Sequence, residues 1–471
     1  MMLDRRTALG SLLATTALSV AGCMTLRQAP EADWLTDPWG RAERIVAAIR
    51  QVAIPPRNFP LADFAPRAED ARPAILAAIL AAHKAGGGRV VIPAGLHLSA
   101  GPIHLRSNVE LHLKAGATLR FLPGEGLYLP PVRTRWEGTE CYTLSPLLYA
   151  EDCENIALSG RGTIDGQGAA HWLPWRDTQK AAQTALRDMG RDGVPVAERI
   201  FTGERRLRPH FVQFNRCKRV LVDGPRLVDS PFWMIHPLLC EDVIIRNITC
   251  KSDHVNSDGV DPDSSRRVLI ENCDFDVGDD GISLKSGRDQ DGWRVGIPTE
   301  DVVIRNCTYS GHAGGGMAIG SEMSGGVRNV FVDGFRIPKA RHALYFKANL
   351  DRGGRISDVF IRNITAGETA SLLVFTNDYH SYRGGNYPTV FERILVEQVT
   401  VATTHTGISI AGHPDAPVRD VVIRDVAMGA ATHPLRISNA IDTTIHRVRN
   451  GTRMISLGDA QPVPPSVPGG Y

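Results

Sequence analysis

The chain has 471 residues, 43% hydrophobic and 22% charged, an ordinary globular composition rather than that of a disordered segment. Lys and Arg number 53 against 51 Asp and Glu, a net charge of +2, so no basic excess points to nucleic acid. In the body of the chain no apolar run approaches the ~18 residues of a membrane-spanning helix.

At the N-terminus, Arg5 and Arg6 precede an apolar run of 13 residues, Ala8 to Val20. That is the length of an export signal rather than a span. The arginine pair resembles a twin-arginine signal, and Val20-Ala21-Gly22-Cys23 resembles a lipoprotein box with Cys23 as the lipidated first residue. Residues 1–22 are expected to be a leader. The remainder is then expected on the periplasmic side of a bacterial membrane, touching that membrane only through lipid on Cys23. Cysteines 141, 153, 217, 240, 250, 273 and 307 show no CxxC spacing, which favours buried thiols over a zinc site or disulfides.

Residues 23–60 read as a tether and an N-terminal helix, with helical periodicity from Asp33 to Val52 and again from Ala71 to Ala85. From Arg89 the pattern changes to short Val, Ile and Leu runs between turn residues. One run repeats. Val220-Leu221-Val222-Asp223-Gly224 recurs from Val243, Val268, Val302, Val330, Val359, Ile394 and Val421. Successive copies start 23, 25, 34, 28, 29, 35 and 27 residues apart. The fifth position is Gly224, Asn247, Asn272, Asn306, Gly334, Asn363, Gln398 or Asp425. Gly and Asn tolerate left-handed backbone, so each run is expected to end in a tight turn. The runs are continuous rather than alternating, so both faces must bury or stack.

An all-β parallel β-helix over residues 61–460 fits, with coils ~4.8 Å apart and an asparagine ladder at the turns. A leucine-rich horseshoe is the alternative, but its LxxLxLxxN spacing is absent. Residues from Ala169 to Arg208 interrupt the repeats as a polar, partly helical excursion. The Pro/Gly-rich tail, 461–471, is expected to be flexible.

Acid concentrates between Asp253 and Asp280, in DHVNSDGVDPDSSRRVLIENCDFDVGDD. Measured from the turns, Asp258, Asp279, Asp280, His312 and Lys347 fall on successive coils and roughly one face. Carboxyls that close raise at least one pKa, which separates a protonated acid from ionised bases. Neighbouring strand residues point oppositely, so Asp279 and Asp280 can share a site only if the backbone bends at Gly278–Gly281.

These motifs resemble the polygalacturonase family, glycoside hydrolase family 28, in its bacterial exo-acting members. Asn256-Ser257-Asp258 is similar to its NTD motif and Gly278-Asp279-Asp280-Gly281 to its GDD motif. Gly311-His312 is similar to the start of GHG, and Lys347 to the lysine of RIK. The likeness spans roughly residues 60 to 450.

It implies a right-handed β-helix and inverting, exo-acting hydrolysis of α-linked galacturonate in pectic poly- or oligosaccharides. No cofactor or metal is implied, and a monomer is expected. Asp279 would be the general acid, while Asp258 and Asp280 activate water across the wide carboxyl gap of inverting sites. Lys347 would meet the substrate carboxylate, with Asn256, Lys285 and Arg288 as further substrate-binding candidates.

Two departures stand out. Tyr345 replaces the arginine of RIK and cannot make a bidentate carboxylate contact. From His312 to Glu322 is 10 residues where the family pattern has two fewer. A gapless match therefore puts Gly314 at the histidine position. A rhamnogalacturonan hydrolase of the same family stays open because of Tyr345. So does a Ca²⁺-dependent pectate-type lyase, with the aspartates on metal. A non-catalytic carbohydrate-binding β-helix is disfavoured by the intact aspartates.

Overall fold

The computed structural model describes residues 32–464; the expected leader and Cys23 lie outside them. Residues 32–36 belong to a first unit, of which one 3-10 turn, Asp33–Leu35, is described. The second unit, from Asp37 onward, holds the fold.

It is a parallel β-helix whose register follows the sequence repeat. Val220 lies opposite Val243, then Val268, Val302, Val330, Val359, Ile394 and Val421 in turn. Ile156 extends the ladder before Val220, and Thr443 after Val421. All eight residues at the fifth position have left-handed backbone, from Asn306 (φ 54°) to Gly224 (φ 94°). The expected asparagine ladder runs to carboxylates: Asn247 and Asn363 donate to Asp223 and Asp333 of the preceding coils.

A second left-handed position, missed in the sequence because its residues are mixed, precedes each run. It holds Arg219, Asp242, Arg267, Asp301, Asn329, Asp358, Arg393 and Asp420. Asp and Asn adopt this conformation at modest cost. The arginines gain charge-assisted contacts there, Arg267 to Asp242 and Arg393 to Asp358.

The first and third residues of each run point into the core, where Val220, Val222, Val243 and Ile245 are fully buried. Each such side chain contributes about 1.5–3 kcal/mol. The second residues form an outer stripe. Ile244, Leu269, Val303, Phe331, Phe360 and Leu395 are buried there as well. Helix α1 (Pro38–Ala48) lies against this stripe. Its Arg41 guanidinium sits 5.5 and 4.8 Å from the stacked Phe331 and Phe360 rings. Asp37 caps the helix through the Gly40 N–H, with Pro38 at the first position. Both faces of the runs are thus buried, as their continuity requires. Helix α2 (Arg72–Lys84) turns Ile75, Ala78, Ile79 and Ala82 onto the first coil and closes that end of the core.

Pairing begins at Asn58–Pro60, three residues before the expected boundary. It reaches into the expected flexible tail, where Gln461 N–H donates to Leu435 O and Val463 N–H to Ser438 Oγ. The seven described cysteines are buried and unpaired with one another. Cys153, Cys217 and Cys240 stand three residues before successive runs and point their thiols at carbonyls of the preceding coil, Leu105, Ala150 and Phe214. Ser265 and Thr299 fill the same place on the next coils and bond to Pro237 O and Pro262 O. These are small corner donors.

Four excursions leave the coils. The hairpin Val132–Trp136/Thr139–Thr143 turns at Glu137-Gly138, both with positive φ, as a two-residue hairpin turn requires. The interruption expected from Ala169 carries α3 (Trp175–Thr178) and α4 (Lys180–Arg191). The two longest repeat spacings, 34 and 35 residues, hold α5 (Asp289–Val295) and the loop 377–389.

Candidate active site

One face of the coils carries the acid cluster. Its inward ladder runs Val212, Ile235, Val260, Ile282, Met317, Leu344, Leu373, Ile408 and Leu435. Two residues before Val260 and Ile282 stand Asp258 and Asp280, so these carboxylates stack on adjacent coils. Gly315 and His342 hold the same place on the next two coils. Three residues after Ile282 and Leu344 stand Lys285 and Lys347, with Gly320 on the coil between. The two acids therefore stack on adjacent coils, and the two bases stand two coils apart beside them.

Asp279 joins them because residues 278–281 bend out of strand geometry. One oxygen from each of Asp258, Asp279 and Asp280 lies within 4.8 Å of the others. The wide gap expected between acid and base is therefore absent, because stacked coils hold the carboxylates at inter-strand distance.

The surroundings separate their ionisation. Burial raises Asp279, and neighbouring Asp280 adds to it. Its Oδ2 accepts the Asn256 N–H at 3.0 Å. Asp258 is pushed well above the usual range by burial, then by Asp261 and Asp279. Burial also pushes Asp280 up, but Lys347, Lys285 and the Gly315 N–H outweigh it and hold this carboxyl below its ordinary value. Lys347 Nζ lies 2.6 Å from Asp280 Oδ2, and Gly315 N lies 2.7 Å from Oδ1. Lys285 is buried between Asp258 (3.6 Å), Asp261 (3.4 Å) and Glu322 (3.4 Å). These two ammonium groups supply the counter-charge that a cation would bring to an acid cluster.

A cavity of about 220 Å³ opens over the cluster. Asn256, Asp258, Asp279, Lys285, Arg288 and Lys347 all line it. Asp280 sits behind them, fully buried. Arg288 bridges Glu137 (3.1 Å) and Glu322 (2.5 Å). Tyr345 stands beside Lys347, whose Nζ is 5.4 Å from its ring, but it lines the neighbouring groove instead.

His312 is not brought to the cluster. Its side chain is 64% exposed and faces Asp253 at 3.6 Å. The gapless alternative carries no side chain: a Cβ on Gly314 would lie 2.2 Å from the Asp279 carbonyl carbon. That loop packs its backbone directly on the Asp279–Asp280 peptide, which leaves no space for a histidine.

The sequence reading missed several lining residues. Trp233, Glu322, Tyr379 and His380 belong to the cavity, as do Glu137 of the hairpin and Arg176, Gln179, Lys180 and Gln183 of the excursion. Arg208, buried, donates to Asn256 Oδ1 at 2.7 Å and so steadies the residue that holds Asp279. Spacing was the available signal for Tyr379 and His380, which lie in the insertion of the longest repeat.

The walls are unequal. Upstream of the aspartates the face is covered. Thr134 of the hairpin donates to Gln213 Oε1, and Arg135 pairs with Asp263 at 2.6 Å, both fully desolvated. Arg187 of α4 ties this cover to Asp289, Asp351 and the Ser381 carbonyl. Downstream, the same face opens into a groove of about 650 Å³ that includes Tyr345, Val374, Ser409 and Arg436.

A right-handed parallel β-helix with paired carboxylates in a walled cleft defines a class of carbohydrate-active enzyme. The model of glycosyl hydrolases family 28 matches residues 197–446. A probable polygalacturonase from Vitis vinifera is 26% identical over 75% of this chain and 69% of its own. A hyperthermoactive exopolygalacturonase from Thermotoga maritima is 37% identical and superposes with a TM-score of 0.82 over 88% of this chain and 97% of its own. An exopolygalacturonase from Yersinia enterocolitica, 21% identical, shares the fold with a TM-score of 0.68 over 84% of this chain and 76% of its own. The chain belongs to glycosyl hydrolases family 28 and is a glycoside hydrolase.

Proposed function

We propose that the protein hydrolyses α-linked galacturonate in pectic poly- or oligosaccharides and releases residues from the chain end. The observation that carries this reading is the buried carboxylate cluster whose members are driven in opposite directions, Asp279 up and Asp280 down. Asp279, its carboxyl raised by burial and by Asp280, lines the cavity and is the least buried of the three, so it donates to the glycosidic oxygen. Asp280, kept ionised by Lys347, takes the proton of the attacking water, which Asp258 helps to hold. With the oxygens within 4.8 Å of one another, the water is shared by Asp258 and Asp280 rather than spaced across a wide gap. Exo action is supported by the hairpin that covers the upstream face, since a chain has room to leave only downstream. Tyr379 and Trp233 line the same cavity, with Lys347 and Lys285 over their rings at 5.4 and 4.4 Å.

Arg5-Arg6 and Cys23 support export with lipid attachment. No helix among the described residues is long and apolar enough to cross a membrane.

The test is incubation with polygalacturonate and trigalacturonate, with and without chelator, following reducing ends and ultraviolet absorbance together. New reducing ends without absorbance, insensitive to chelator, with monomeric β-galacturonate as first product, are expected. Absorbance that vanishes on chelation would make the enzyme a lyase. An α-product would mean that a carboxylate attacks the sugar itself.

A further inference from the structure

Among the described residues, the cavity holds a cation without a protein partner. Five basic side chains line it: Arg176, Lys180, Lys285, Arg288 and Lys347. Lys180 pairs with Asp177 at 3.2 Å, Lys285 with Glu322 and Asp258, Arg288 with Glu137 and Glu322, and Lys347 with Asp280. Among the described residues, Arg176 has no ion pair and no side-chain hydrogen bond. The residue expected to supply bidentate carboxylate binding is Tyr345, which cannot, and Lys347 is engaged with Asp280 at 2.6 Å.

Arg176 is carried on a fixed base. The preceding Trp175 is buried, packs edge-on against Trp172 at 5.0 Å and lies under the Arg206 guanidinium at 4.3 Å. Gln179, one turn on, is buried and accepts the Arg208 N–H. A side chain on such a base loses less freedom on binding, and a guanidinium presents two parallel donors to a carboxylate. The excursion bearing Arg176 is bound to the covering hairpin through Gln183 and Glu137 (2.5 Å), at the closed side of the cavity.

We propose that Arg176 binds the carboxylate of the terminal galacturonate and makes the enzyme specific for an acidic sugar at the chain end. This rests on the galacturonate reading above. The excursion thereby supplies the cation that Tyr345 withdraws from the coil.

The experiment is steady-state kinetics on trigalacturonate with wild type, Arg176→Gln and Arg176→Lys, and on trigalacturonate methyl-esterified at its non-reducing residue. For Arg176→Gln, KM is expected to rise about tenfold or more, with kcat within about threefold. Arg176→Lys is expected to recover part of the loss. On the esterified substrate, wild type and Arg176→Gln are expected to have equal KM. Unchanged melting temperatures would show that both variants fold. An Arg176→Gln KM within twofold of wild type, or an equal rise on the ester, would overturn the assignment. A wild type that releases no galacturonate would instead sink the underlying reading, and this inference with it.

Discussion

Two columns of charge run along the coils, and stacking builds both. At the corner before each repeat, acids and bases alternate from coil to coil except where Asn329 stands between Asp301 and Asp358. Asp242 meets Arg267 at 2.6 Å and Arg50 at 2.7 Å, and Asp358 receives two bonds from Arg393 at 2.8 Å. Burial raises Asp242, yet its two arginines hold it below the usual carboxylate range. On the site face the order differs. Asp258 stacks on Asp280 with Asp279 alongside and Asp261 buried nearby, where the Lys285 ammonium lies 3.4 Å from its Oδ1 but no hydrogen bond reaches either oxygen among the described residues. Alternating charge makes a structural ladder, whereas stacked like charge makes a set of carboxyls with divergent pKa values.

The largest test of this contrast neutralises the like charges. Asp279→Asn should lower kcat about a thousandfold or more, since an amide cannot deliver the proton. Asp258→Asn should also disable turnover. Both should raise stability by about 1 kcal/mol, as a site that stores repulsion would. Folding lifts these two carboxyls above their unfolded pKa of about 4. The stability they allow is therefore full below that value and is lost as pH rises through the folded pKa. The gain in the amide variants should accordingly appear at neutral pH and fade in acid. Thermal melts at both pH values check this, and variants less stable than wild type at neutral pH would contradict it.

Next in size is Lys347→Met. With its ammonium gone, Asp280 loses its main stabilising charge and its pKa rises. The acidic limb of kcat/KM should move to higher pH, and kcat should fall about a hundredfold. A pH profile measures both, and an unmoved limb would assign that titration to another group.

The smallest effect is expected on the structural ladder. Asp242→Ala should cost about 1–3 kcal/mol with kcat unchanged. The folded Asp242 pKa is lowered, so its stabilisation is present above about pH 4 and is lost as pH falls through the folded value. The melting difference from wild type should close in acid. A loss of kcat in the fully folded variant would erase the distinction between the ladders.

Much of this was legible in the residues. The eight runs predicted the pairing register because a stack of coils repeats its hydrophobic pattern in step, and their fifth residues predicted the left-handed turns. The acid motifs predicted the cluster. Asp258-Gly259-Val260 recurs as Asp280-Gly281-Ile282, a signature of two carboxylates at one place on adjacent coils. His312 misled because a histidine in a loop can point anywhere, and here it points to solvent. Lys347 was placed correctly near the aspartates, but a sequence does not say that its nearest partner is Asp280.

The sequence by itself determined the solenoid, its turns and the chemical character of the site, because each depends on patterns local to one coil and repeated in the next. Only the tertiary structure decided which end of the cleft is covered, which bases are already paired and which one, Arg176, is free among the described residues. Those outcomes depend on how the hairpin, the excursion and the 377–389 loop fold back over coils distant in sequence, where no repeat constrains them.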